Sequence, residues 1–297
     1  MNIQEFAVSR VGTRFWLLLG RLPPRAGHAF GRWVARQLYL RKHAFAYRTL
    51  YANQAVVLGP AAAAEQVDAA VSAALYHAGM SQYDIVHAIA RGREAIIDSI
   101  ELGADFWPHL QAARATGRGV LLCGVHLSAF NLGLLAFALC GDTPIQILSA
   151  ARGEGGFRLI SDLRNRGAIE ETPVDGPALR QAIQRLRAGG IALIGVDWPV
   201  PLEAAERIPF FGRPAGLPTG YMRMALNANA VLLPIACRWT PERGYYIMAA
   251  PHMEPERTGD RAHDIQHNVR RLLNVAEGWI RETPDQWLMY YRVWPDE

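Results

Sequence analysis

A chain that runs six apolar residues in succession, stops on a histidine and resumes as a second apolar stretch can fold in few ways. Residues 120–125 read Val-Leu-Leu-Cys-Gly-Val, His126 follows, and residues 127–139 are small or apolar apart from Ser128 and Asn131. The first run has the length and branching of a buried strand, and the second is long enough for a helix. The uncharged stretch from 120 to 141 is also long enough to span a bilayer. Its strand-like first half and its polar His126, Ser128 and Asn131 fit a buried strand followed by a buried helix better. Where such a strand gives way to a helix, the imidazole lies at the crevice in which open α/β sheets keep their chemistry. Histidine suits proton transfer near neutrality. On these residues alone, a core histidine bonded to a backbone carbonyl is the plainer alternative.

Turn signals organise the rest. Pro23-Pro24 ends a first helix, and 26–40 forms a second with Phe30, Val34 and Leu38 on one face. Gly59-Pro60 closes a third segment, and the alanine-rich 61–89 reads as one or two helices. Leu102-Gly103 then separates this helical third from an alternating α/β remainder. In that remainder 120–125, 145–149, 191–196, 231–237 and 245–250 read as strands. A helix over 178–188 is stopped by Gly189-Gly190, and a long helix runs over 262–282. The expected class is therefore α/β, a central and mostly parallel sheet flanked by helices. Its helical N-terminal region covers residues 1–104, ahead of an α/β core over 105–297.

Composition and charge narrow the function. With 297 residues and 51 % apolar content the chain can bury a large core. Its three cysteines, Cys123, Cys140 and Cys237, match no zinc or redox spacing and read as reduced, buried thiols; no metal and no resident cofactor is expected. Residues 1–50 carry eight arginines and Lys42 against Glu5 alone, so everything after residue 50 is net acidic. Phe6, Phe15 and Trp16, interleaved with Arg10 and Arg14, favour an interfacial membrane helix over a nucleic-acid platform. A span over 3–22 would bury Arg10, Arg14 and Arg21 at ~2.5–3.5 kcal/mol each. No small-residue cleavage site follows a clean apolar core. A peripheral protein on the cytoplasmic face of the inner membrane is expected, without a nucleic-acid partner.

Other motifs fail. Residues 153–158 (Gly-Glu-Gly-Gly-Phe-Arg) end in arginine where a dinucleotide loop needs a small residue. No Gly-Lys-Ser/Thr loop, His-Glu-x-x-His or Gly-x-Ser-x-Gly elbow is present.

Five blocks in order carry a resemblance. They are Gly117-Arg118-Gly119-Val120 through His126 to Asn131, Gly195-Val196-Asp197-Trp198, and Phe210-Phe211-Gly212-Arg213-Pro214-Ala215. Val231-Leu232-Leu233-Pro234-Ile235 follows, and then 283–292 with Gln286-Trp287 and Arg292. Together, over about 106–294, they resemble the lysophospholipid acyltransferase superfamily, in the branch of the lipid A late acyltransferases and mycobacterial mannoside acyltransferases. The resemblance implies transfer of a fatty acyl group from a thioester, on coenzyme A or acyl carrier protein, to a hydroxyl or amine of a lipid or glycolipid. His126 would be the general base.

One position departs from the family. Where its pattern has an acid five residues after the histidine, this chain has Asn131. An asparagine carbonyl holds a ring tautomer but supplies no charge. Either another carboxylate replaces the acid, or catalysis is slow or lost, leaving a lipid-binding or scaffold protein. The mannoside branch points to an acid near the Phe-Phe-Gly block, with Glu206 the first choice and Asp197 and Glu203 its rivals. Arg152 and Arg213 are candidates to hold phosphate of the carrier or head group. Trp198, Phe210 and Phe211 are candidates to line the channel, with Gly212 turning the backbone beside it.

Overall fold

The computed structural model describes residues 16–140, 144–149, 169–200 and 207–294. Residues 16–19 are helical, and after them come α1 (Pro24–Leu40), α2 (Phe45–Leu58) and α3 (Ala64–Arg91). The alanine-rich stretch is one helix of 28 residues. Small residues set how closely α1 and α3 cross. A Cβ on Gly31 would lie 2.4 Å from the Gly79 carbonyl oxygen, and the converse holds at Gly79. Only glycine pairs let two helix backbones approach so far. A short helix α4 (Arg93–Asp98) leads into the sheet.

The remaining elements are β1 (Ile100–Glu101), α5 (Trp107–Ala115), β2 (Val120–Val125), α6 (Phe130–Cys140), β3 (Ile145–Ser149) and β4 (Ile169–Pro173). Next come α7 (Gly176–Arg187), β5 (Ile191–Gly195), β6 (Arg207–Phe210), β7 (Arg213–Gly216) and α8 (Gly220–Ala228). Strands β8 (Val231–Thr240) and β9 (Gly244–Ala249), helix α9 (Arg261–Glu282) and a 3₁₀ turn (Pro284–Gln286) complete the described chain. Seven strands form one sheet in the order β1-β9-β8-β2-β5-β3-β4, and β6 and β7 form a separate hairpin. Every neighbouring pair in the large sheet is parallel except β8 and β9. This is the α/β architecture with a mostly parallel sheet that the alternation of apolar runs implies.

β2 lies in the middle, with Val120 opposite Ile191 on one side and Val231 on the other. Its residues are apolar on both faces because both are covered. Leu121, Cys123 and Val125 join the core beneath α7, α8 and α9, whereas Val120 and Leu122 join the core with α5 and α6. α6 is buried along most of its length, which accounts for its lack of an amphipathic pattern. Among the described residues no helix is long and apolar enough to cross a membrane.

Two details depart from expectation. Ile100–Glu101 pairs with Tyr245 and Tyr246, so the sheet takes an edge strand from residues before 105. A two-residue strand is too short to leave a periodic signal. Cys140 is exposed where α6 emerges, unlike the buried Cys123 and Cys237.

Candidate active site

The site stands at the carboxyl edge of β2 and β5, the central strands of the sheet. After Val125 the chain bends sharply: Leu127 N–H donates to the Val125 carbonyl at 2.8 Å, and Ser128 takes a φ of 50°. A left-handed serine is held only where its surroundings over-determine it. Here Ser128 N–H donates to Gln286 O at 2.7 Å, Ser128 Oγ meets His77 Nε2 at 2.8 Å, and Leu127 forms an antiparallel bridge with Trp287. The bend turns the His126 side chain toward β5, where Val196 N–H, bonded to Gly124 O at 3.0 Å, carries the pairing one step past Gly195. Asp197 follows.

His126 Nδ1 and Asp197 Oδ1 are 2.6 Å apart. The carboxylate also accepts the His126 backbone N–H at 3.0 Å and the Trp287 indole N–H at 2.9 Å, both on Oδ2. Asp197 is wholly buried, and burial alone would raise its carboxyl. The charge of His126, with the hydrogen bonds from its ring, the Trp287 indole and the His126 backbone, outweighs that and holds Asp197 below the ordinary carboxylate range. An ionised Asp197 makes Nδ1 the protonated nitrogen of the neutral ring, which leaves the lone pair on Nε2.

The imidazole has little room to rotate. A Cβ on Gly195 would sit 2.5 Å from Cε1, so only glycine at this β5 position admits the ring. Phe130 meets the ring edge-on at 4.7 Å between centroids, and Trp198 lies 5.3 Å away on another side. Trp198 in turn packs on Tyr291 at 4.4 Å. The His126 side chain keeps 17 % of its surface, enough for a reactant to reach one nitrogen. The arrangement can orient an imidazole, stabilise its protonated form and accept a proton at Nε2. Among the described residues no three of His, Cys, Asp or Glu gather into a metal-holding group.

The residues singled out from the sequence divide by place. His126, Asp197 and Trp198 come together. Asn131 occupies the first turn of α6, half-buried, and it is Asp197 that takes Nδ1. Phe210 is fully buried behind Trp287, ring to ring at 6.2 Å, and Trp294 Nε1 donates to its carbonyl at 3.1 Å. It therefore backs the acid instead of facing the imidazole. Phe211 and Gly212 turn the β6–β7 hairpin, both at positive φ. The Phe211 N–H donates to Glu277 Oε1 at 2.6 Å, and the Arg281 guanidinium covers its ring at 4.6 Å. Arg213 is exposed at the start of β7. Arg152, Glu203 and Glu206 lie outside the described residues.

Sequence reasoning assigned no role to Trp287, Tyr291, Gly195 or His77. The Gln286-Trp287 pair was visible as a family block, without any sign that its indole meets Asp197.

A buried carboxylate thus meets a partly exposed histidine at the carboxyl edge of a mostly parallel sheet. The family model for bacterial lipid A biosynthesis acyltransferases matches residues 3–295, and the chain belongs to that family. It is 25 % identical over 190 residues to a phosphatidylinositol mannoside acyltransferase of Mycobacterium tuberculosis, covering 63 % of this chain and 58 % of that protein. It is also 25 % identical over 194 residues to the lipid A biosynthesis lauroyltransferase of Escherichia coli, covering 62 % and 58 %. The chain thus matches under two thirds of the length of these relatives.

Proposed function

We propose that the protein transfers a fatty acyl group from a thioester, on coenzyme A or acyl carrier protein, to a hydroxyl or amine of a lipid or glycolipid. The observation that carries this reading is the 2.6 Å contact between His126 Nδ1 and the buried Asp197. Nε2 removes the proton of the acceptor as its oxygen or nitrogen attacks the thioester carbonyl. The tetrahedral adduct collapses, its carbon–sulfur bond breaks, and the leaving thiolate takes the proton back from Nε2. Asp197 stays ionised throughout and stabilises the imidazolium. Base catalysis of this kind is worth about 10²–10⁴-fold, and positioning of the two substrates supplies much of the rest. The named activities of the two relatives, on a mannoside and on lipid A, support a lipid acceptor.

A membrane-peripheral location accords with Leu18, Leu22, Trp33, Leu40 and Phe45, all exposed in the arginine-rich N-terminal region. The alternative, a non-catalytic lipid-binding or scaffold protein, drew on Asn131 as a lost acid. With Asp197 against the ring, the charge that Asn131 lacks has another source, which favours catalysis. Substituting His126→Ala tests the reading. Transfer from an acyl thioester should vanish while circular dichroism and melting stay near wild type, and near-full turnover in the variant would refute it.

A further inference from the structure

Two residues beyond His126 the chain takes a backbone conformation that few side chains accept. Ser128 is buried and has a φ of 50°, in the left-handed region. Glycine enters that region at no steric cost, and asparagine or aspartate visit it more readily than serine does. Of the other non-glycine residues at positive φ among those described, Asn229 is an ordinary left-handed cap of α8 and Phe211 turns the β6–β7 hairpin. Ser128 alone adjoins the base. It sits midway along the chain between His126 and Phe130, whose rings meet edge-on at 4.7 Å. Relaxing Ser128 to the right-handed region would swing its φ by about 100° and redirect both rings.

Backbone pairing holds only part of the bend. Leu127 bridges to Trp287, and Ser128 N–H reaches Gln286 O at 2.7 Å. The serine side chain is held by a different element, α3, through His77 Nε2 at 2.8 Å from Ser128 Oγ. The hydroxyl also neighbours the buried Cys237 thiol on β8, a weak hydrogen-bonding group. His77 is itself fixed, its ring edge-to-face with Trp239 at 6.1 Å. Trp239 in turn holds the Gln286 side chain through both of its backbone groups, at 2.9 and 2.8 Å. His77, Trp239, Gln286 and Ser128 thus close a ring of contacts around the bend. Space-filling alone would be served at less cost by an apolar side chain. Burial pushes the His77 imidazole below its ordinary value, the mark of a polar ring taken out of water.

We propose that His77 is a positioning residue for the reaction at His126: by holding the Ser128 side chain it keeps the bend left-handed, and so keeps the His126 ring on Asp197. In its effect on rate, this role rests on the acyltransferase reading. The 2.6 Å contact of His126 Nδ1 with Asp197 Oδ1 has little tolerance for displacement. A misplacement of about 1 Å at such a centre costs on the order of 10²-fold in rate.

Two substitutions at Ser128 separate the tether from the packing of α3. Alanine removes the hydroxyl and still resists the left-handed region, whereas glycine removes it and accepts the region. Initial rates of thiol release from palmitoyl coenzyme A, with a detergent-dispersed glycolipid, give the kinetic test. In Ser128→Ala and His77→Ala, kcat should fall about tenfold or more while KM stays within about twofold. Ser128→Gly should lose several-fold less than Ser128→Ala. Added to Ser128→Gly, His77→Ala should cost less than about twofold, because the tether it removes is no longer needed. His77→Gln, which keeps a polar group near Ser128, should lose less than His77→Ala. A second measurement needs no turnover: nitrogen NMR of the His126 ring in isotope-labelled full-length protein, its signals assigned by their loss in His126→Ala. The ring should hold one Nδ1–H tautomer in the wild type and in Ser128→Gly, and average between tautomers in Ser128→Ala and His77→Ala. That pattern in a wild type without turnover would count against the acyltransferase reading and leave the role of His77 standing. The proposal is overturned by a His77→Ala rate loss that persists undiminished in Ser128→Gly, by a His126 tautomer that His77→Ala and Ser128→Ala leave unaltered, or by a wild-type ring that already averages.

Discussion

At the scale of single residues, the site depends on one carboxylate having three donors. Asp197 is buried yet ionised because the His126 ring, the His126 amide and the Trp287 indole all point at it. Taking such a group out of water without partners would cost several kcal/mol. The same contacts explain how Asn131 can stand where relatives of the family pattern keep an acid. Asp197→Asn keeps the shape of the side chain and removes its charge, so the ring loses both its tautomer control and its counter-ion. Initial rates should fall by up to ~10⁴-fold. Adding Asn131→Asp to that variant should recover part of the loss by restoring a negative charge near the imidazole. Wild-type rates in Asp197→Asn would show that His126 works without this carboxylate.

At the scale of elements, the segment that holds the site together is neither a long helix nor a strand. Gln286 completes a strand-like pairing with β8, its side chain accepting from Trp239 N–H at 2.9 Å and donating to Trp239 O at 2.8 Å. Its carbonyl takes Ser128 N–H, and the next residue, Trp287, reaches Asp197. α3 closes the same bend from the other side through His77 and Ser128. Burial pushes the His77 imidazole down from its ordinary value of 6.5, against smaller opposing effects of Asp285 and Asp84. The unfolded chain therefore binds more protons at this residue than the folded one does just below pH 6.5. Stability should be full above that pH and drain away as pH falls through the lowered folded value. Melting temperatures from pH 7.5 to 5 should drop less for His77→Gln than for the wild type; parallel curves would show that His77 does not titrate differently on folding.

At the scale of the whole molecule, the N-terminal helices are bound to the α/β core through buried polar contacts. Asn53 holds the 289–293 segment, Gln54 Nε2 donates to Pro284 O at 2.7 Å, and Tyr245 donates to Asp84 at 2.7 Å. The segment before α1 is also docked, since Tyr83 donates to Leu22 O at 2.7 Å and His87 Nδ1 meets Gly20 O at 2.7 Å. Deleting it would remove packing together with charge. Charge replacement is the cleaner probe, because Arg21, Arg25, Arg32 and Arg36 are all exposed. With these four changed to glutamine, binding to anionic vesicles should weaken strongly, and the salt dependence expected of the wild type should flatten. Activity on a detergent-dispersed acceptor should persist. Equal vesicle partitioning of the two proteins would argue against an electrostatic membrane face.

The strand over 120–125, the strand over 191–196 and the helix over 262–282 (the latter two to within one residue), and the placing of His126 at a strand end were all legible in the sequence. Each rests on local periodicity or on a run of buried residues, and local signals survive without knowledge of partners. The family was legible too, through blocks that keep their order along the chain. The pairing of His126 with Asp197 was not, because the two lie 71 residues apart and meet only when β2 and β5 align in register. The indole of Trp287 arrives from 90 residues further along, by a bend that no propensity records. Sequence could propose several carboxylates for the imidazole; which one reaches Nδ1 is a matter of strand order, and strand order exists only in the folded chain.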